Sequence, residues 1–399
     1  MEAMKEHRIL FLISRFLDGG IDTVLVSYLH RLSLLPQYRI TLAIGTAMGE
    51  LEVFLNAIPD NVEVVHLVQA RWLTKWRQQK VVQGEPVAIK LLDETVLTPI
   101  RRHIIWSGVK TLAQTHDVII DFDCCFSAFL HDVHIPKIAW FHFSMEQALV
   151  QNKRRTQRIM RRLKGYDKVV VISEAMRKEG VELFPWLEEK LVVIYNAQDR
   201  DRLLDLASEP IGDERIARPF ILAVERLEES QKDVSNLLHA YAILRRDYNH
   251  TESLYILGQG RSEAELRQLA DSLGIHDHVE FLGFNGNPYP WMKQAKLLVH
   301  SAKSEGLPTV LVEGLMLDKL MVATDCPTGP REILNNGEAG VLVPMGDASA
   351  MAEAMHRVLT DVDLQKSLLQ GVRKHRSRFS FESVQQQFER LIEENVVTP

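Results

Sequence analysis

The chain has 399 residues, 46% hydrophobic and 25% charged, with a formal net charge of −6. That length exceeds one ordinary core, so two domains are expected, and the acidic balance argues against nucleic acid as the main partner. No apolar run approaches the roughly 18 to 20 residues that a membrane helix needs. The start, MEAMKEHRILFLISRF, has acids ahead of a short apolar core and does not read as a signal peptide. Three cysteines, Cys124, Cys125 and Cys326, make neither a disulfide framework nor a C-x-x-C site, which fits a reducing cytoplasm. Residues 1–199 carry 25 Lys+Arg against 23 Asp+Glu, and the remainder 22 against 30. The first half is therefore the candidate for meeting an anionic surface.

Residues 8–14, RILFLIS, read as a buried parallel strand, followed by the turn RFLDGG and a helical pattern, IDTVLVSYLHRL. This is the first unit of a doubly wound α/β sheet, and Gly19 and Gly20 permit close approach of a ligand to the helix start. A plain turn between strand and helix is the alternative. RITLAIG (39–45) and VEVVHL (62–67) read as the next strands. Residues 70–92, with two Trp among five Lys/Arg, break the rhythm and read as an insertion. A helix at 94–115 and strands DVIIDF (117–122) and PKIAWFH (136–142) resume it. NKRRTQRIMRRLKG (152–165) holds seven Lys/Arg with Ile159, Met160 and Leu163 at helical spacing. Strands DKVVVIS (167–173) and LVVIYN (191–196) follow, and Asn196–Gly212 reads as a linker.

A second alternating series begins with PFILAV (219–224). It continues through SLYILG (253–258), HVEFLG (278–283), KLLVHS (296–301), LMVATD (320–325) and GVLVP (340–344). The last segment, FSFESVQQQFERLIEENV, is an amphipathic helix. Two such series imply two Rossmann-like domains with ligands at the carboxyl ends of the strands.

Within the second series, Glu305 and Glu313 stand eight positions apart around the turn Gly306-Leu307-Pro308, which opens an apolar helix at Thr309. A helix start is a seat for an anion such as a phosphate. Acids flanking it make sense as hydrogen-bond acceptors for hydroxyls on either side; a surface acid and a helix-dipole acid are the plainer alternative. Arg226 and Lys232 follow the strand at 219–224, and His142 closes the strand at 136–142. Asp121-Phe-Asp123 has the D-x-D spacing of a divalent-cation site, but lies far in sequence from the inferred phosphate. His131 and His134 lack metal-site context and read as surface residues. No metal or other cofactor is expected.

Ordered blocks then point to a family. They are DGG after the first strand, WFH before residue 143, ER…K at 225–232, LGQG at 257–260, VEFLGF at 279–284, SEGLPTVLVE and TDCPTGPREIL. Over nearly its whole length the chain resembles glycosyltransferase family 4, the retaining nucleotide-sugar transferases of the GT-B fold. Within it, bacterial enzymes of lipopolysaccharide, capsule and other surface-glycan synthesis are most similar. The last two blocks are the specific ones. The resemblance implies two Rossmann-like domains facing a cleft that closes on the donor. Residues 1–199 would bind the acceptor, 200–379 the nucleotide sugar, and 380–399 would form a helix packing back on the first domain.

The resemblance also implies roles. Arg226 and Lys232 would hold the diphosphate, and Glu305 the transferred sugar, together with backbone N–H groups of Gly306, Leu307, Pro308 and Thr309 as far as each carries one. Glu313 would hold the ribose and His142 would lie near the developing charge. Gly19 and Gly20 would approach phosphates or acceptor, and Gly258 and Gly260 would shape the loop near the nucleotide. The chain departs from the family in Glu225 and Asp233, where a Gly usually precedes the Arg and follows the Lys, and in Gly314, usually Ala. The expected reaction moves a sugar from a nucleotide-diphosphate donor, a UDP-sugar, to a hydroxyl of a lipid-linked or growing glycan. Residues 71–80 and 153–164 are candidates for contact with an anionic membrane on the cytoplasmic side. A non-catalytic partner subunit and a GT-B epimerase or hydrolase are the alternatives.

Overall fold

The computed structural model describes residues 6–17, 19–83 and 87–396, with the backbone alone for 80–83 and 87–89. Asp18 of the DGG turn and residues 84–86 of the 70–92 stretch lie outside it, as do the first five and last three residues. The chain divides into two units.

The first unit is built on seven parallel strands: β1 (His7–Ile13), β2 (Tyr38–Thr46), β3 (Glu63–Val68), β4 (Val118–Asp121), β5 (Lys137–Phe141), β6 (Lys168–Val171) and β7 (Leu191–Val193). Their order is β3-β2-β1-β4-β5-β6-β7. Ile9 pairs with Ile40 on one side and Val118 on the other, so the apolar runs meet in register. Both faces of such a sheet are covered, which is why its strands read as near-continuous runs of β-branched and large apolar residues. The order reverses between β1 and β4, the place where doubly wound sheets leave a crevice at their carboxyl ends.

The second unit has six parallel strands: β8 (Phe220–Val224), β9 (Ser253–Leu257), β10 (Val279–Gly283), β11 (Leu297–His300), β12 (Met321–Thr324) and β13 (Val341–Val343). Their order is β10-β9-β8-β11-β12-β13, with the reversal between β8 and β11. Its core joins Ile221, Leu254, Leu297 and Val322 of the sheet to Leu237, Tyr241, Met351 and Met355 of the covering helices.

Three readings change. Residues 71–83 and 87–92 are helices, which with the π-helical Asp93–Leu97 and the helix Thr98–Ala113 lie between β3 and β4. Leu73 packs with Val68 and Leu97, and Trp76, Ile104 and Ile105 cover them, so this stretch is part of the first unit's crossover rather than an insertion. A buried ion pair, Arg101–Asp93 at 2.6 Å, ties it together. Asn196–Gly212 is not a free linker: a helix, Arg200–Leu206, is capped by Asp199, and Arg200 binds the Met316 carbonyl and Asp318. The second unit accordingly begins at Tyr195 and runs to Val384, apart from Ser173–Met176, which also cluster with it.

The helix Phe381–Val396 presents Phe381, Val384, Phe388, Leu391 and Ile392 as one buried stripe. Phe388 packs against Tyr28, Tyr38 and Trp140, so from Gln385 onward the chain belongs to the first unit.

Candidate active site

At the reversal point of the second sheet, the chain leaves β8 into Glu225 and Arg226, and leaves β11 into the loop that ends at Glu305. Because β8 and β11 are neighbours (Leu297 opposite Ile221), both exits open on the same spot. The short helix Glu229–Lys232 then brings Lys232 across. Its ammonium stands 2.5 Å from Glu305 Oε1, with side chains 16% and 10% exposed. Burial opposes both charges, yet the pair sustains them: Glu305 is held down to about 2 by Lys232 and His300, and the Lys232 ammonium is raised by Glu305 and Glu225. Arg226 beside them is exposed and makes no ion pair among the described residues. The cluster thus pairs a shielded cation and carboxylate with a second cation open to solvent.

The loop is held by its backbone. Glu305 N–H donates to the Pro327 carbonyl at 2.7 Å, and Thr328 N–H donates back to the Glu305 carbonyl at 2.9 Å. The Thr328 hydroxyl donates to the Gly306 carbonyl at 2.9 Å. The SEGLP and TDCPTG blocks are therefore two faces of one junction. Gly306, Leu307 and Pro308 are buried and Thr309 opens the helix Thr309–Met316. Glu313 sits in the second turn of that helix, 6% exposed. Burial raises it to about 7, and only the Tyr289 hydroxyl, 3.4 Å away, works against that. A Cβ on Gly314 would come within 2.6 Å of Met321 Sδ, so the Met321 side chain would have to shift to admit one.

Gly258 and Gly260 let the Glu225–Leu227 segment cross closely. Glu225 N–H donates to the Leu257 carbonyl and Leu227 N–H to that of Gln259. A Cβ on Gly258 would lie 1.8 Å from the Glu225 carbonyl oxygen, and Gly258 has φ +142°.

The remaining candidates stand in the first unit. Gly19 caps the helix Gly20–Leu32, and its N–H donates to Asp22 Oδ2 at 2.9 Å, so an acid already occupies that helix start. His142, just past β5, is 7% exposed and packs on Phe122 and Trp140. Burial lowers its pKa to about 3, leaving a neutral ring, and neither nitrogen has a hydrogen-bond partner. The D-x-D carboxylates are engaged elsewhere. Asp121 accepts from the Tyr166 hydroxyl at 2.5 Å and the Phe126 N–H at 3.1 Å. Asp123 accepts from Ser14 through both N–H and hydroxyl, and from Cys125 N–H at 3.1 Å. Burial raises both. Among the described residues no group of three or more His, Cys, Asp or Glu is arranged to hold a metal ion. His131 and His134 are exposed.

Sequence reasoning did not single out His300. It ends β11 only 1% exposed, with Glu225 at 3.1 Å from one ring nitrogen and Glu305 at 3.3 Å from the other. A histidine inside the apolar run KLLVH was the available signal, since a buried imidazole needs partners.

The basic segment 153–164 lies on the helix Met145–Leu163, whose backbone departs from helical geometry at Asn152. Lys153, Arg154, Arg155, Arg158, Arg161, Arg162 and Lys164 are all exposed, and Trp72 of the other basic stretch is 58% exposed. Among the described residues no helix is long and apolar enough to cross a membrane.

Two units with doubly wound parallel sheets, joined by a returning last helix, define the GT-B class. Solved structures agree. Anabaena HepE, determined with UDP and glucose, matches at a TM-score of 0.76 and 18% identity, covering 98% of this chain and all of that one. TarM of S. aureus, a mutant determined with fondaparinux, α-GlcNAc-glycerol and UDP, matches at 0.75 and 11% identity, covering 96% and 99%. Residues 210–375, which hold every second-unit candidate, match the family of glycosyl transferases group 1. A Campylobacter jejuni relative is named an N-acetylgalactosaminyltransferase acting on N-acetylgalactosamine-N,N'-diacetylbacillosaminyl-diphospho-undecaprenol. It is 31% identical over 201 residues, half of this chain and 53% of that protein. The chain spans between 18% and 64% of the first curated relatives it matches.

Proposed function

We propose that the chain is a retaining glycosyltransferase that moves a sugar from a UDP-sugar to a hydroxyl of a lipid-linked or growing surface glycan. The observation that carries this reading is the cluster of Arg226, Lys232 and Glu305 at the β8/β11 reversal, inside the segment that matches the group 1 family. A diphosphate there would meet two cations, one exposed and one already paired, and so draws on no metal. Glu305 would accept hydroxyls of the transferred sugar. Glu313 would accept the ribose hydroxyls, whose protons stabilise a carboxylate that burial otherwise keeps half-neutral. Backbone at Gly306–Thr309 would frame the sugar and phosphate. Gly258 and Gly260 hold the Arg226 loop close, while His142 would lie near the developing charge and the Gly19–Gly20 turn would approach the phosphates or the acceptor.

The bond from the anomeric carbon to the β-phosphate oxygen breaks and the bond to the acceptor oxygen forms on the same face. The departing phosphate takes the acceptor's proton. The names of the relatives support UDP and a lipid-linked acceptor as the classes to try.

A thermal-shift screen with UDP, GDP and ADP, followed by sugars of the base that binds, tests the donor: UDP should raise the melting temperature most. Turnover is then measured with the matching sugars. No shift and no turnover with any nucleotide would remove the reading. The exposed basic helix further suits a peripheral position on the cytoplasmic face of a membrane, each cation adding about 1 kcal/mol near an anionic leaflet. Liposome flotation should recover more protein with anionic than with neutral lipid; equal recovery would sink this part.

A further inference from the structure

Each nitrogen of the His300 ring stands near a buried carboxylate oxygen: Nδ1 is hydrogen-bonded to Glu225 Oε1 at 3.1 Å, and Nε2 lies at ion-pair distance, 3.3 Å, from Glu305 Oε1 without hydrogen-bond alignment. A neutral imidazole carries one N–H and one lone pair. Turning that lone pair onto a carboxylate oxygen in a dry interior would be repulsive, so this geometry calls for a proton on both nitrogens. Glu225 is fully buried and is itself fixed by the Ser301 N–H at 3.2 Å. The charged groups that face His300 are Glu225 from the end of β8, Glu305 from the loop after β11 and Lys232 from the helix Glu229–Lys232. Arg226 acts on Lys232, and the Cys326 thiol past β12 lies near Glu305. The four central groups alternate in sign, carboxylate, imidazolium, carboxylate, ammonium, and sum to zero.

Two of these cations share a single oxygen, Oε1 of Glu305. The pairing has a purpose once Lys232 is needed elsewhere. We propose that His300, held as an imidazolium by Glu225, is a positioning residue of the donor site: it keeps Glu305 ionised and aimed when Lys232 turns from Glu305 to the donor's diphosphate. This rests on the donor reading given above. Without His300, withdrawal of Lys232 would leave a buried carboxylate with no counter-charge, and such a group takes up a proton. Glu313 in the same unit shows that outcome, since its only side-chain partner among the described residues is a phenol.

The first arm of the test needs no substrate. In the full chain labelled with ¹⁵N-histidine, His300 signals are identified by their loss in His300→Gln. Both ring nitrogens should be protonated at neutral pH in the wild type, and Glu225→Gln should lower the midpoint at which one of them loses its proton. A singly protonated ring at about pH 7 in the wild type overturns the proposal. The second arm measures UDP binding and turnover of UDP-glucose, UDP-galactose and UDP-N-acetylglucosamine. With the best donor, Glu225→Gln and His300→Gln should lower kcat by about tenfold or more, with UDP affinity changed by less than about threefold. Glu225→Gln should also move the alkaline limb of the kcat profile to lower pH. Unchanged kcat and pH profile in both variants, at wild-type melting temperature, overturns the positioning role. Absence of turnover in the wild type would instead count against the donor reading, while the NMR arm decides the imidazolium on its own.

Discussion

Glu305 and Glu313 flank the same helix start, both shielded from water, yet their surroundings drive them apart. Glu305 meets an ammonium and an imidazole on one oxygen and is held at about 2; Glu313 meets one phenol and is pushed to about 7. The same side chain, eight positions away, is a fixed anion in one place and a titrating group in the other. What separates them is the groups delivered to one and not the other: Lys232 from the helix after β8 and His300 from the end of β11. Burial alone does not assign a charge state.

The sharpest way to break this contrast is at the ion pair. Under the proposed function, Glu305→Gln and Lys232→Ala should each lower sugar transfer by about a thousandfold, the scale at which loss of a single electrostatic contact to the reacting group is felt. Transfer within about tenfold of wild type in both would dissolve the proposed site. Circular dichroism should show both variants folded, because the loop is also held by the Glu305–Pro327 and Thr328–Glu305 backbone bonds.

The second contrast is in stability against pH. Glu305 has a folded pKa below its ordinary 4.5, so its contribution is present above about 4.5 and is lost as pH falls toward 2. Glu313 has the opposite sign: between about 4.5 and 7 the folded state binds more protons than the unfolded one, so stability falls as pH rises through that window. Glu313→Gln should therefore stabilise the protein at pH above 7, by up to about 3 kcal/mol, and flatten this part of the profile. The same substitution should weaken UDP binding. Denaturant melts from acid to mildly alkaline pH check both signs, and a destabilised Glu313→Gln at the alkaline end would refute the assignment.

The smallest effect is expected from Tyr289→Phe. Its hydroxyl is a long 3.4 Å donor that favours the Glu313 carboxylate, so removing it should raise the Glu313 midpoint slightly. The cost should stay below about 1 kcal/mol. A midpoint that drops instead would show that the phenol accepts from a protonated Glu313.

All thirteen strands of the two sheets were legible to within a few residues, because parallel strands covered on both faces leave uninterrupted apolar runs. The SEGLP turn, the acid eight positions on and the cations after β8 were legible as a pattern. The stretch 70–92 was not, since Trp72, exposed, and Trp76, packed on the Val68–Leu73–Leu97 cluster, look alike in sequence. The Arg200–Leu206 helix was hidden for a similar reason: Arg200 binds the Met316 carbonyl and Asp318 of the second unit, which its sequence does not show. Glu225 was visible only as a departure from the usual glycine. Its meaning depends on His300, 75 positions later, and on the β8–β11 adjacency that brings them together. No local periodicity encodes such a pairing.

The returning helix has a consequence for how the protein is made. Tyr28, Tyr38 and Trp140 are translated early, but the aromatic ring that packs against them, Phe388, is translated only after the second unit. The first sheet can assemble during synthesis, whereas its core stays open until the entire second unit has been produced. Closing the domain that was begun first thus waits for residues that follow the second one, and a message truncated between Val384 and Phe388 would yield a second unit beside an unsealed first one.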